Sequence, residues 1–118
     1  MSTRLERLEA RARNWRGVTA DIQWSNDLVF KVAGKMFLVF SRDGATVESL
    51  SFKVTSEDFV RLPDESDALR PAPYLARASW LQLTDPAALS DAELTHLVER
   101  SYQLVRTSLP QKLQATLG

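Results

Sequence analysis

The segment from Leu28 to Val54 constrains the fold most, because it predicts a sheet on which the rest of the chain can pack. It contains two turn signals, Ala33-Gly34 and Asp43-Gly44, and each lies between runs rich in β-branched and aromatic residues. Two-residue turns at both positions would pair Phe30 with Phe37 across the first turn. The sequence therefore predicts three consecutive antiparallel strands joined by two hairpins.

Side chains of a strand alternate between two faces, so the predicted pairing assigns each residue to a face. Across the second turn, Phe37 would pair with Leu50 and Val39 with Glu48. One face, hereafter the first face, then carries eight apolar residues: Leu28, Phe30, Val32, Phe37, Val39, Leu50, Phe52 and Val54. Lys35 and Glu48 fall near its ends. A slip of one residue would turn a strand's apolar side chains toward water, so the agreement of all three strands supports this register.

The opposite side of these strands, hereafter the second face, has a mixed character. Its polar residues are Lys31, Ser49, Ser51 and Lys53, and its apolar residues are Val29, Met36, Leu38, Phe40 and Val47. This surface is too apolar to face only solvent, and we expect it to be covered. A helix of this chain and a partner subunit are the two alternatives, and both stay open.

The composition is that of one soluble globular domain spanning residues 1–118. Basic and acidic side chains number 15 each, so the formal charge of zero gives no general attraction to nucleic acid or anionic lipid. The absence of cysteine excludes disulfides, thiolate catalysis and cysteine-ligated zinc. No apolar run reaches the roughly 18 residues of a membrane span, and the N-terminus does not look like a signal peptide. We therefore expect a cytoplasmic protein that does not bind membranes.

The N-terminal segment predicts a helix with a basic flank. Thr3 and Glu6 have the spacing of a capping box, and Gly17 is suited to end the helix. Four apolar residues at helical spacing form one stripe, namely Leu5, Leu8, Ala12 and Trp15. The flank carries Arg4, Arg7 and Arg11. These arginines could contact phosphates or form a solvated helix face, and both alternatives stay open.

Two segments are expected to be irregular, one before the predicted sheet and one after the second helix. Residues 18–27 are predicted to connect the first helix to the sheet, with Trp24 buried. Ser56 is predicted to cap a short helix that ends at Pro63. Residues 64–79 contain two further prolines and a run of acids, so they predict a loop.

The C-terminal third predicts one more strand and a long helix. Residues Ser79–Leu83 form the strand, in which Trp80 and Gln82 share one side. Ser90 begins a second capping box, and Pro110 breaks the helix before one or two final turns. The apolar side of the helix carries Leu94, Leu97, Val98, Ser101, Val105 and Leu109. We expect this side to cover the first face.

The residues that usually carry catalysis or bind metal are sparse. The single histidine, His96, points away from the apolar side of its helix and is expected at the surface. Asp64, Glu65 and Asp67 lack the ligand spacing of a calcium loop. No nucleophile elbow, phosphate-binding glycine loop or dinucleotide fingerprint is present. The sequence therefore favours a binding module without cofactor or metal over an enzyme.

Short motifs spread along the chain carry a family resemblance. In order they are VFKVAGKMF at 29–37, LSFK at 50–53, Pro73-Tyr74, the Trp80 strand, Ser101-Tyr102, and LPQK at 109–112. Together, in order and spacing, they resemble the MmcQ/YjbR family over nearly the whole chain. The resemblance implies an α+β fold, a two-layer arrangement of an antiparallel sheet with helices packed on it, similar to double-wing, frataxin-like and secretion-chaperone-like folds. It also implies DNA binding, through likeness of fold alone.

The resemblance also points to individual positions, without a catalytic role for any of them. They are Lys35, Lys53, Tyr74, Trp80, Ser101 and Tyr102. The chain departs from the family pattern at Ala33, where a second glycine is common, and at Gln111, where a lysine is common. Trp80 and Tyr74 could stack on bases, or Trp80 could be a core residue.

Two hypotheses for the function stay open. In the first, a non-enzymatic domain binds DNA mainly through phosphates, with contacts from Lys31, Lys35, Lys53, Arg4, Arg7, Arg11, Tyr74 and Trp80. In the second, a protein-interaction or chaperone-like module uses the second face of the sheet, with self-association included. Its partner-binding residues would be Val29, Leu38, Phe40 and Val47. Neither hypothesis requires a cofactor, a metal or a catalytic residue.

Overall fold

The computed structural model describes residues 4–24, 26–43, 46–73 and 75–117. The helices in these ranges are α1 (Arg4–Arg13), α2 (Ser56–Glu65), α3 (Asp91–Thr107) and α4 (Gln111–Leu117). The strands are β1 (Val18–Gln23), β2 (Asp27–Val32), β3 (Lys35–Asp43), β4 (Thr46–Lys53), β5 (Leu69–Pro71) and β6 (Trp80–Leu83). The described strands form one antiparallel sheet in the order β1-β2-β3-β4-β6-β5. The predicted α+β architecture, a sheet with helices packed on it, is confirmed.

The first face of the sheet carries the main hydrophobic core. Phe30, Phe37, Phe40 and Phe52 are fully buried there. Helix α3 covers them, as predicted, with Leu94, Val98, Tyr102 and Val105, and α1 adds Leu8 and Ala12. Helices α2 and α4 contribute Phe59, Leu62 and Leu117 to the same cluster. The described helices therefore all pack on one side of the sheet.

Helix ends follow local sequence signals with one shift and one exception. The capping box at α3 is confirmed, because Ser90 and Glu93 exchange hydrogen bonds of 3.1 and 3.2 Å. Thr55, rather than Ser56, is the N-cap of α2. Pro63 lies inside α2 rather than ending it. The Arg61 guanidinium forms ion pairs with Asp58 at 2.7 Å and with Glu65 at 2.8 Å. These ion pairs link residues of α2 before and after Pro63.

The predicted register fails beyond the first turn. Val32 pairs with Lys35, as predicted, and Ala33 and Gly34 both have positive φ, 49° and 84°, as a type I′ turn requires. A β-bulge then shifts β3, so that Phe30 pairs with Leu38 instead of Phe37. The second hairpin pairs Leu38 with Phe52 and Phe40 with Leu50, so the predicted pairing of Phe37 with Leu50 is wrong. Gly44, in the predicted turn, lies outside the described residues.

The bulge changes which side chains share a face. Phe37 and Leu38 both lie in the first-face core, because a bulge places two residues opposite one. Phe40 joins them, and Val39 moves to the second face. The predicted assignments of Val39, Leu38 and Phe40 were therefore wrong. The predicted second-face position of Val47 was also wrong: a second register shift, between Ser41 and Arg42, pairs Val47 with Arg42, and Val47 packs against the first-face core. The predicted first face is confirmed for Leu28, Phe30, Val32, Phe37, Leu50, Phe52 and Val54.

Two strands lie where the sequence predicted irregular structure. Residues 18–23 form β1, an edge strand whose side chains alternate only weakly, since Asp21 and Ile22 are both exposed. Residues 69–71 form β5 within the proline-rich segment. Pro71 is tolerated because an edge strand leaves one row of backbone groups without a ladder partner.

Ser101 resolves the hydrogen bonding of the bulge. Its hydroxyl is fully buried, donates to the Phe37 carbonyl at 2.6 Å and accepts from the Lys53 amide at 2.9 Å. Phe37 is the extra residue of the bulge between β2 and β3, and both backbone groups lie just beyond the end of the β3–β4 ladder, where Leu38 pairs with Phe52. Ser101 therefore joins α3 to the sheet by a polar contact inside an apolar interface.

Candidate functional site: a groove on the second face

A groove of about 520 Å³ crosses the second face of the sheet. The described residues that line it are Trp24, Asp27, Met36, Val39, Ser41, Ser51, Pro73, Leu75 and Gln82. Strands β3, β4 and β6 supply the floor, the loop after β1 supplies one wall, and the chain after β5 supplies the other. The groove therefore lies on the side of the sheet away from the helices.

The wall on the β5 side is held against the sheet by backbone hydrogen bonds. The Ala72 amide donates to the Trp80 carbonyl at 2.9 Å, and the Val54 amide donates to the Ser79 carbonyl at 2.9 Å. Ala72 and Trp80 form a small buried cluster with Val29 and Val39, and Leu75 packs against it. The second face is thus covered in part, by a loop of the same chain rather than by a helix.

Serine hydroxyls and an amide make the floor of the groove partly polar. Gln82 is fixed at both ends, because its Oε1 accepts from Arg70 at 2.9 Å and its Nε2 donates to Ser49 at 3.1 Å. Ser51 is only 6% exposed, and its hydroxyl has no hydrogen-bond partner among the described residues. Because Ser51 lines the groove, its hydroxyl is open to hydrogen bonds from water or from a ligand.

Trp24 forms the rim of the groove. The sequence predicted it to be buried, but the side chain is 60% exposed. Its φ of 49° turns the chain out of β1, and the Asn26 side chain donates to the Arg42 carbonyl at 3.0 Å, which anchors the loop. An exposed tryptophan at the rim of a groove that also contains apolar side chains resembles the aromatic anchors of protein interfaces.

The charge of the groove disfavours anionic ligands. Asp27 is the one ionisable group among the described residues that line it. Lys53, on the same face, donates from its ammonium group to the Ala78 carbonyl. Lys31 is half-buried on this face, and Lys35 is exposed next to the first turn.

The cations predicted to contact phosphates do not converge. Arg7 forms an ion pair with Asp91 at 3.4 Å, and Arg7 and Arg11 flank a cavity of about 180 Å³ between α1 and α3. These arginines lie on the helix side of the sheet, whereas Lys31 and Lys53 lie on the opposite side. Tyr74 and the Arg4 side chain are outside the described part of the chain.

Several predicted contact residues are inaccessible. Trp80 is 4% exposed within the second-face cluster, so it is a core residue and its ring presents little surface on which a base could stack. Val29 is buried in the same cluster. Leu38 and Phe40 are buried in the first-face core, so the predicted partner-binding set does not form one surface. Of the groove residues, sequence reasoning placed only Met36 and Ser51 on the second face. It missed Trp24, Asp27, Val39, Ser41, Pro73, Leu75 and Gln82.

A second cleft, of about 290 Å³, separates α2 from α3 and includes exposed His96. Two of its charged groups, Glu93 and Arg61, form hydrogen bonds within the turns of α3 and α2. Hydrogen bonds from the Ser90 backbone and hydroxyl lower the pKa of Glu93, and bonding to Asp58 raises the pKa of Arg61.

Within the described residues no cluster of three or more histidines or acids could hold a metal ion. None of the described helices is long and apolar enough to cross a membrane.

Comparison with known proteins identifies the family. A crystal structure of the Deinococcus radiodurans protein DR2400, described as a DUF419 domain, superposes with a TM-score of 0.85 at 20% sequence identity. The match covers 100% of this chain and 92% of that one, and it shows that the fold is shared. No curated protein matched this sequence. The family model described as YjbR matches residues 13–104, and the chain therefore belongs to the YjbR family.

Proposed function

We propose that this protein is a non-enzymatic interaction module whose second-face groove binds an extended, uncharged or basic segment of a partner protein. The observation that carries the proposal is the combination of exposed Trp24 on the rim with the buried, unpartnered Ser51 hydroxyl on the floor. A cytoplasmic location belongs to the same proposal, supported by the absence of cysteine.

The size and lining of the groove suit a few side chains of an extended peptide. Its volume of about 520 Å³ falls within the roughly 300–1,000 Å³ of typical ligand sites. Met36, Val39 and Leu75 offer apolar contact, and Trp24 can close over a bound side chain. Tryptophan in such a position commonly contributes a large share of interface energy.

The polar groups of the floor favour a ligand that can form hydrogen bonds. The Ser51 hydroxyl lines the groove and bonds none of the described residues, so it is available to a ligand that can donate or accept a hydrogen bond. Gln82 does not turn its amide toward Ser51, because hydrogen bonds to Arg70 and Ser49 hold both ends of that amide. A peptide backbone provides both donors and acceptors at regular spacing.

Charge separates this proposal from DNA binding, which the family resemblance implies. Asp27 in the groove repels phosphate, and the candidate cations lie on two sides of the sheet. A phosphate-binding surface needs several lysines or arginines that converge. The geometry therefore supports a protein partner better than a nucleic acid.

The groove also lacks the arrangement expected of a hydrolase. No hydrogen bond links a groove serine to a histidine or a carboxylate among the described residues. An activated serine requires such a base. This supports the non-enzymatic part of the proposal.

Peptides selected from a displayed library of random ten-residue sequences provide the test. Their affinities are measured as soluble peptides against the wild type, Trp24→Ala and Ser51→Leu, which fills the floor. We expect selected peptides to be rich in apolar residues and poor in acidic ones. Each substitution should weaken binding about tenfold or more.

Arg61→Ala, in the cleft between α2 and α3, is the matched control and should leave affinity unchanged. Peptides whose affinity is insensitive to Trp24→Ala and Ser51→Leu would contradict the proposal. A short DNA duplex serves as the second probe. Strong duplex binding that weakens steeply with salt would favour the nucleic-acid alternative instead.

A further inference from the structure

The two edges of the sheet differ in their protection. Strand β5 has three residues and ends at Pro71, which has no amide hydrogen to offer another strand. Strand β1 has six residues, contains no proline, and exposes 51% of Ile22. A long edge strand without such protection is a ready template for another strand.

The hydrogen-bond pattern shows which backbone groups of β1 face outward. The Ala33 amide donates to the Gly17 carbonyl at 3.2 Å, so this pair is of the hydrogen-bonded type. Hydrogen-bonded and non-bonded pairs alternate along an antiparallel ladder. Ala20 and Ile22 therefore direct their amides and carbonyls away from β2. Val18 fits the same alternation, because its amide donates to the Trp15 carbonyl rather than to β2.

We propose that two copies of this chain pair through β1, antiparallel around a two-fold axis at Ala20. Ala20 then faces Ala20 of the second copy, and Ile22 faces Val18 of the second copy. These three side chains lie on the first face, so pairing covers exposed Ile22 and extends the apolar core across the seam. On the second face, Asp21 lies opposite Thr19 of the second copy.

Asp21 disfavours the neighbouring register that is centred on it. A shift that paired Ala20 with Ile22 would place Asp21 directly opposite Asp21 of the second copy. That pair would be of the non-bonded type, in which Cα atoms approach to about 4.5 Å and side chains are closest. Like charges in that position are destabilising. The register centred on Ala20 avoids this contact and still uses the outward groups of Ala20 and Ile22.

The pairing goes beyond the proposed function and does not depend on what the groove binds. A two-fold axis perpendicular to the sheet leaves both second faces on the same side. The dimer would therefore present two grooves to one partner surface.

Single cysteines test the register, because the chain has no cysteine of its own. In the proposed dimer Ala20→Cys lies about 5.5 Å from its counterpart between Cα atoms, within the disulfide range. Ile22→Cys lies about 14 Å from its counterpart, given the rise per residue. We expect mild oxidation to convert Ala20→Cys to a covalent dimer at least about tenfold faster than Ile22→Cys, although Ile22 is the more exposed position. Equal rates, a faster Ile22→Cys, or no covalent dimer would overturn the proposal.

A charge pair provides a test without covalent chemistry. Thr19→Lys should tighten the dimer and Thr19→Asp should weaken it, each by about fivefold, because two symmetric contacts with Asp21 change together. Within one chain Thr19 pairs with Lys31, so the effects on monomer stability have the opposite sign and thermal unfolding at low concentration separates them. Sedimentation velocity measures dissociation. A wild type that stays monomeric at the highest concentration, or a dimer insensitive to both variants, would contradict the proposal.

Discussion

The two faces of the sheet are built from the same strands, yet they differ in packing and polarity. The first face buries four phenylalanines under the helices. The second face carries serines, a glutamine and a groove that a loop covers only in part. The first face therefore carries most of the hydrophobic core, whereas the second face leaves an open groove.

The bulge at Phe37 produces much of this difference. It brings Phe37, Leu38 and Phe40 to the first face, so that β3 contributes only Met36, Val39 and Ser41 to the groove. Without the bulge, alternation would place Leu38 and Phe40 on the second face, and the groove floor would be more apolar. A single extra residue thus separates the buried core of the first face from the partly polar groove of the second face.

The largest expected effect is a difference in the free energy of unfolding between substitutions on the two faces. Phe52→Ala should lower the free energy of unfolding by about 3–5 kcal/mol, because it leaves a cavity in the first-face core. Met36→Ala, in the half-buried groove floor, should cost about 1 kcal/mol or less. Denaturant unfolding measures both. Similar losses for the two variants would show that the faces are not as distinct as described.

Ser101→Ala should have the next largest effect. It removes the hydroxyl that bonds the Phe37 carbonyl and the Lys53 amide, and it leaves both backbone groups buried without a partner. We expect a loss of about 1–3 kcal/mol. Thr107→Ala, an exposed hydroxyl on the same helix, is the control and should change stability by less than about 0.5 kcal/mol. Equal effects would remove the structural role assigned to Ser101.

The first turn should be open to improvement. Ala33 has a φ of 49°, which is unfavourable for alanine, while asparagine tolerates this conformation in type I′ turns. Ala33→Asn should therefore raise the free energy of unfolding by about 0.5–1 kcal/mol. Thermal unfolding should show this as a higher melting temperature. Destabilisation by Ala33→Asn would argue against the type I′ turn and against the register that depends on it.

The smallest expected effect on stability is that of Ser51→Ala. Both Ser51 and Ser101 are buried serines, but Ser51 has no partner to lose among the described residues. Its replacement should change the free energy of unfolding by less than about 0.5 kcal/mol. A loss as large as that of Ser101→Ala would mean that Ser51 has a structural rather than a binding role.

The sequence predicted the parts of the fold that local signals determine. Capping residues located α3, and the turn at Ala33-Gly34 located the first hairpin. The bulge was missed because both Phe37 and Leu38 are apolar, so the alternating pattern did not show which of them was the extra residue. Strand β1 was missed because its pairing with β2 stabilises it more than its own residues do.

The groove was harder to predict than the core. Its lining comes from strands and loops far apart in the sequence. Trp24 was predicted to be buried because tryptophan is usually a largely buried residue type. The serines of β4 were assigned to the second face correctly. The mixture of serines and apolar residues on that face was the one sequence feature that pointed to a groove there. The position of Leu75 depends on a loop that the sequence does not specify.

Methyl NMR of the protein with a selected peptide tests the central claim most directly. Resonances of Met36, Val39 and Leu75 should shift on titration, while those of Leu50, Leu81 and Leu83 in the first-face core should not. Shifts confined to Leu62 and Leu97, in the cleft between α2 and α3, would contradict the assignment of the second face as the binding surface.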